Sequence, residues 1–180
     1  MKKFGRRVLT LATAVLLLTS IELTTLADTW YLENGDVVVN ADIGGQTVTQ
    51  GTVSVPDAAP VITQQDSSVA TSKTITVNAV NGADANVTIQ DVNVEARGEA
   101  AMTVNRSEGS VVTVELEGDN TLKGVLTPGI ATAGEGELIL KDEDNDGSLK
   151  ALGSAMAAGI GGDLDEDGKN ITVIDCDEGE

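Results

Sequence analysis

Two short runs of this chain of 180 residues place carboxylates where they can act together. Asp142-Glu-Asp144-Asn-Asp146-Gly147 and Asp163-Leu-Asp165-Glu-Asp167-Gly168 both read Asp-x-Asp-x-Asp-Gly. Alternate aspartates let one tight loop aim several hard oxygens at a point, and the glycine permits the bend. The first half of a calcium loop is built this way. Calcium is therefore expected at Asp142, Asp144 and Asp146, at Asp163, Asp165 and Asp167, or at both; magnesium suits such a loop less, because it keeps its own waters. An EF-hand also needs a bidentate Glu at the twelfth position, where this chain has Gly153 and Ile174. Neither run is an EF-hand, and no flanking helices are expected. The same residues make ordinary solvated turns too, since Asp, Asn and Gly favour them. One run follows Leu140 and the other Gly162, so the two are expected on different edges of the fold.

Other reactive groups are sparse. The chain has no histidine, so no serine triad can be assembled. Polysaccharide lyases combine calcium with a Lys or Arg base; Arg97, Arg106, Lys123 and Lys150 are the candidates here. Lys123 and Lys150 stand at corresponding places in a repeat and are expected to form a short basic ladder, balanced by nearby carboxylates. Sugar sites want aromatic platforms and planar polar groups. Trp30 and Tyr31 are the only aromatics after residue 27, and Trp30 serves equally well as a plug for the end of the fold.

The residues that would carry this chemistry sit in a repeat running from Asn86 to Cys176. Its first phrase is Val87-Thr88-Ile89, Val112-Thr113-Val114, Leu138-Ile139-Leu140 and Ile171-Thr172-Val173. The second is Val92-Asn93-Val94, Thr121-Leu122-Lys123 and Ser148-Leu149-Lys150. The third is Ala100-Ala101-Met102-Thr103, Pro128-Gly129-Ile130-Ala131 and Ala158-Gly159-Ile160-Gly161, in which Met102, Ile130 and Ile160 are 28 and 30 residues apart. Such periods mark solenoids and arrays. Each phrase alternates apolar and polar residues, and Gly, Asp, Asn or Ser separates them, so short strands with one buried face are expected. Small aliphatic side chains suit a narrow interior, and aromatics make up only 2% of the chain. The expectation is a right-handed parallel β-helix of about four to five coils, with an antiparallel β-sandwich as the alternative. Val53, Val55, Val61-Ile62, Ile75 and Val77 extend it as an earlier, looser coil. Asn34-Gly35 predicts a hairpin capping the open end.

Asn86-Val-Thr-Ile-Gln-Asp-Val-Asn-Val, Glu117-Gly-Asp-Asn-Thr-Leu-Lys-Gly and Ala157-Ala-Gly-Ile-Gly-Gly followed by Asn170-Ile-Thr-Val together resemble the secreted bacterial β-helical proteins described as carbohydrate-binding domain-containing. The resemblance spans about residues 30 to 174 and implies a β-helix, with binding to polysaccharide or a cell-surface glycan. In that family further glycine-rich coils follow; here one such phrase is present, so a short or truncated member is expected.

Residues 1–27 read as a signal peptide: Lys2, Lys3, Arg6 and Arg7 precede the apolar Val8–Leu18, and Thr25-Leu-Ala27 offers a cleavage site. Residues 28–180 then form a single domain at the cell exterior. Removing the leader takes away those four cations and Glu22, leaving 7 basic and 28 acidic residues, a formal charge of −21. Nucleic acid is excluded as a partner on that charge. Cys176, the single cysteine, has no partner for an intramolecular disulfide, and Asp175 and Asp177 beside it blunt its reactivity. The expected function is a secreted, non-catalytic, calcium-stabilised binder of glycan or another extracellular surface. A calcium-dependent lyase-like protein and a ligand-free stalk or fragment are the alternatives.

Overall fold

The computed structural model describes residues 27–154, 156–162 and 167–175. Asp163, Asp165, Cys176 and residues 1–26 of the signal segment lie outside the described residues. The opening strands are β1 (Thr29–Tyr31), β2 (Val37–Asp42), β3 (Gly45–Gln50), β4 (Val53–Pro56), β5 (Val61–Thr63) and β6 (Ile75–Ala79). β7 (Asp84–Gln90), β8 (Asn93–Arg97), β9 (Met102–Arg106) and β10 (Val111–Val125) form the middle. β11 (Ile130–Gly134), β12 (Glu137–Asp142), β13 (Gly147–Leu152), β14 (Ile160–Gly161) and β15 (Ile171–Asp175) complete the chain.

These strands wind into a parallel β-solenoid of about five turns with three faces. Sheet A stacks β1, β5, β7, the first half of β10, β12 and β15. Sheet C stacks β8, the second half of β10 and β13, with Thr71 bridging to Val94. Sheet B stacks β2, β6, β9, β11 and β14. Each coil therefore runs A to C to B, and the backbone ladder runs between coils, as the repeat demands. Inward positions carry Val, Ile, Leu, Ala and Met: Val77, Ile89, Val94, Met102, Leu122 and Ile130 are all fully buried. The sandwich alternative is ruled out by these ladders, since every pairing outside β2–β3–β4 is parallel.

The third phrase stacks as expected: Met102 lies opposite Ile130, and Ile130 opposite Ile160. Three registers differ. Thr121 lies opposite Asn93, one residue on from the expected Val92. Val87 pairs with Val114, two residues beyond the expected Val112. A slip of two keeps every side chain on its face, so the apolar pattern cannot detect it. The same slip separates the two lysines: Lys123 lies opposite Glu95 and Leu152, while Lys150 lies opposite Thr121. The expected basic ladder is therefore not formed.

The N-terminal end departs further. Asn34-Gly35 closes a 3-10 turn (Leu32–Asn34) between β1 in sheet A and β2 in sheet B, and not a hairpin. The hairpins are β2–β3 and β3–β4, turning at Ile43-Gly44 and Gly51-Thr52. Val53 and Val55 belong to this antiparallel cap, while Val61-Ile62 and Ile75 do occupy coil positions, opposite Thr88-Ile89 and Met102. The cap covers the end of the core, where Trp30, Leu32 and Val48 are buried. Asp57, wholly buried, accepts hydrogen bonds from Trp30 Nε1 at 2.9 Å, Asp28 N at 3.2 Å and Ala59 N at 3.2 Å.

Candidate functional site

The corner where each coil passes from sheet A to sheet C is left-handed in three successive coils, at Asp91 (φ 50°), Gly118 (φ 59°) and Asn145 (φ 58°). Few residues other than Gly, Asn and Asp accept that conformation. The corner therefore stacks polar residues upon one another. Asp91 Oδ1 accepts from Asp119 N at 3.1 Å, and Asp119 Oδ1 accepts from Ser148 Oγ at 2.8 Å.

The first acidic run forms the outermost described layer of this corner. Asp142 is buried, and its two oxygens accept from Asp146 N at 3.3 Å and Gly147 N at 3.1 Å, which closes the loop. One carboxylate oxygen each of Asp142, Asp144 and Glu115 lies within 4.8 Å of the others. Calcium–oxygen distances are about 2.3–2.6 Å, so one ion can touch oxygens spread over that span. Asp142 keeps lone pairs for it, because a carboxylate offers about four. The residues thus fit a hard cation. Asp146, expected as a ligand, stands beside Asp144 and outside the converging trio.

Glu115 is the member that the sequence reading missed. It arrives from β10, one coil earlier, opposite Lys141 on β12. A glutamate on the outward face of a strand carries no local signal; only the ladder brings it to the loop. Its Oε1 accepts from Glu143 N at 2.7 Å, while Oε2 is buried with no hydrogen bond. The Lys141 ammonium lies 3.1 Å from Oε2 as an ion pair and also holds Glu143. Those acids, Glu143 first and Glu115 next, push the Lys141 ammonium up, so it stays protonated.

The crowding of carboxylates shows in their proton affinities. Asp146 is raised above its ordinary value of 3.8, chiefly by sharing a hydrogen bond with Asp144 and then by desolvation and the charges of Asp144, Asp142 and Glu115. Glu117 is raised above 4.5 by burial first, then by Asp146 and Asp144. A carboxyl raised in the folded chain binds its proton more tightly there than in the unfolded chain. Stability from these groups is therefore present at low pH and is lost as pH rises through the window above their ordinary values. With divalent cations removed, these groups should lower the melting temperature as pH rises through the range just above 4.5; calcium should flatten that slope. A metal-free melting temperature that rises over this interval would contradict the cluster's repulsion.

Of the trio, Glu115 also lines a shallow groove of about 230 Å³ on the outer face of sheet A, with Asn86, Thr88, Thr113, Lys141 and Glu143 among its other walls. A larger cleft, about 580 Å³, crosses the B-to-A turns nearer the end of the chain, with Ser110, Glu135, Glu137, Asn170 and Thr172 on its walls. Both border the outward side chains of sheet A; the carboxylate trio adjoins the smaller.

The remaining candidates are dispersed. Asp167 is exposed at the B-to-A corner beside Glu135 and Lys169, away from the first loop, on a different edge as expected. Trp30 is buried against Asp57 and plugs the solenoid, so its ring is no surface platform; Tyr31 beside it is half-buried. Lys123 binds Glu95 at 2.9 Å, which holds the Glu95 carboxyl below its ordinary value. Arg97 pairs with the same glutamate, and Lys150 is exposed. Arg106 points into the fold, where its Nε and Nη2 donate to Gly136 O at 2.9 Å and Lys169 O at 2.6 Å. None of the four proposed bases joins the carboxylate cluster. Comparison with known proteins finds no matching family model, no matching curated protein and no matching solved structure.

Proposed function

We propose that this chain is a secreted, non-catalytic solenoid that binds glycan along the outer face of sheet A, with calcium at Glu115, Asp142 and Asp144. The observation that carries this reading is the shared position of Glu115. It belongs both to the carboxylate trio and to the groove lined by Asn86, Thr88, Thr113 and Lys141. A bound calcium would neutralise the trio, displace Lys141 toward Glu143 and leave open positions for sugar hydroxyls. The resemblance to secreted β-helical carbohydrate-binding proteins and the leader-like first 27 residues support an extracellular setting. Base catalysis of the lyase kind finds little support, because the one lysine at the cluster is held protonated by two glutamates.

Residues 28–180 should melt at higher temperature with calcium, by the equivalent of about 2.7 kcal/mol when calcium is at 100 times its dissociation constant. Asp144→Asn should weaken calcium at least about tenfold, about 1.4 kcal/mol. Lys141→Met should strengthen it, because a competing cation leaves the site. A glycan array probed with and without chelator tests the rest. Binding that vanishes with chelator supports the reading, and release of unsaturated products would replace it with a lyase. No calcium shift and no glycan signal would leave a ligand-free stalk.

A further inference from the structure

Three asparagines stand two residues before a serine or threonine: Asn86-Val-Thr88, Asn105-Arg-Ser107 and Asn170-Ile-Thr172. That spacing is the acceptor pattern for an N-linked sugar in a secreted chain. So short a pattern recurs by chance, and the fold separates the three. Asn105 is half-buried, and its Nδ2 donates to Asn78 Oδ1 at 2.8 Å. Asn78 donates to Asn40 in the same way, so Asn105 is held in a ladder across three coils. Asn170 Nδ2 donates to Glu135 O at 2.8 Å and ties its coil to the one before. A bulky group on either nitrogen disturbs those bonds. Asn86 is exposed, and it faces outward from sheet A because Ala85 and Val87 on either side are buried. Its carboxamide makes no hydrogen bond among the described residues, while its backbone is fixed: Asn86 N donates to Gln46 Oε1 at 2.9 Å, and Gln46 Nε2 to Asn86 O at 3.0 Å. Thr113 is its neighbour on β10; on the other side β5 begins only at Val61, opposite Thr88. The side chain therefore stands at a step in the sheet, with room for a substituent. Asp84, two residues earlier, is exposed on the same row; at the other two sites Thr103 and Gly168 hold that place. An acid there gives a transferring enzyme a charge to grip, and it marks out this acceptor before the chain folds.

We propose that Asn86 is a site of N-linked glycosylation, with a lipid-linked oligosaccharide as the donor. The inference rests on the export reading of residues 1–27, which brings the chain to such a donor. In the transfer, Asn86 Nδ2 bonds to the anomeric carbon of the first sugar. The bond from that carbon to the lipid pyrophosphate oxygen breaks, and the pyrophosphate leaves with the electron pair. One amide proton passes to a base of the transferring enzyme, and one N–H stays on Nδ2. The Thr88 hydroxyl is read as part of the acceptor and is unchanged. Transfer precedes folding, because an asparagine paired in the β7–β10 ladder cannot bend into an enzyme's site. The finished coil then carries the sugar on its outer face. Asn86 is also one wall of the 230 Å³ groove, so the sugar lies along it. The mass that reports the sugar does not depend on whether that groove binds external glycan or calcium.

Peptide mass spectrometry of the protein recovered from the cells that make it naturally, and from their medium, tests this. The peptide containing Asn86 should carry the added mass of sugar residues, and fragmentation should place that mass on Asn86. The Asn105 and Asn170 peptides should be bare. Asn86→Gln and Thr88→Ala should each abolish the added mass, while Thr88→Ser should keep it. Should either of the first two fail to fold, the peptides of the unaltered chain decide. A bare Asn86 peptide in protein from the medium would overturn the proposal and leave the export reading standing; bare protein found only inside the cells would overturn both. Sugar on Asn105 or Asn170 in place of Asn86, or sugar retained by Thr88→Ala, would also overturn it.

Discussion

Gly134→Ala is expected to destabilise the fold by about 4 kcal/mol, adding an overpacking cost of about 1–3 kcal/mol to a similar backbone strain. Gly134 ends β11 with φ at +94°, a conformation that L side chains seldom adopt. A β-carbon there would stand 1.9 Å from the carbonyl oxygen of Arg106 on the neighbouring coil. Backbone cannot move aside as a side chain can, and Arg106 is held by Gly136 O and Lys169 O, so the strain spreads through three coils. Gly51→Ala is the comparison that isolates the clash. Gly51 also has positive φ, at +60°, but no atom lies within 4 Å of its would-be β-carbon. Its loss should stay near 1 kcal/mol. Urea unfolding of both variants checks the pair; equal losses would mean that close packing of the coils at Gly134 is not what the residue serves.

Asp57→Ala is expected to cost about 3 kcal/mol and to act first on the N-terminal cap. The carboxylate is wholly buried and satisfies the Trp30 indole and two backbone N–H groups. Its own backbone binds Gln46 in both directions, Asp57 N to Gln46 O at 3.2 Å and Gln46 Nε2 to Asp57 O at 2.9 Å. One residue thus ties β1, β3 and the β4–β5 connection together. Truncation leaves the buried donors without partners, at about 1–3 kcal/mol for each one that water cannot reach. Trp30 is the only tryptophan, so its fluorescence reports this region alone. Its emission should shift to longer wavelength and its transition should come earlier in urea than the loss of β circular dichroism. A single coincident transition at parent stability would show that the cap does not depend on Asp57. Asp57→Asn keeps one acceptor oxygen and should lose less.

Several features were legible before the coils were seen, because each rests on a local pattern. Alternation at period two sets which face of each strand is inside. Phrases such as Met102, Ile130 and Ile160 recur at coil length and stack as the repeat requires. Gly, Asp, Asn and Ser between the phrases mark turns, and Asp91, Gly118 and Asn145 among them take left-handed backbone. The acidic loop at Asp142–Gly147 was visible for the same reason: its aspartates are neighbours in the chain, and Asp142 caps its own turn. Register was not legible, since Val112 and Val114 are equally good partners for Val87 by pattern alone. The cap's turn was misplaced because Asn34-Gly35 carries the familiar tight-turn pair, while the hairpins turn at Ile43-Gly44 and Gly51-Thr52, and only the ladder shows which strands meet.

By itself, then, the chain determined an interior of small aliphatics, strands too short for anything but stacking, and one loop dense with carboxylates. Those properties depend on residues within a few positions of each other. Only the tertiary structure decided that Glu115 joins Asp142 and Asp144, that Lys123 answers Glu95 instead of Lys150, and that Trp30 is sealed beneath Asp57. Each of these joins residues about a coil apart in the chain. The ladder between coils sets such contacts, and a side-chain pattern that survives a two-residue slip cannot encode them.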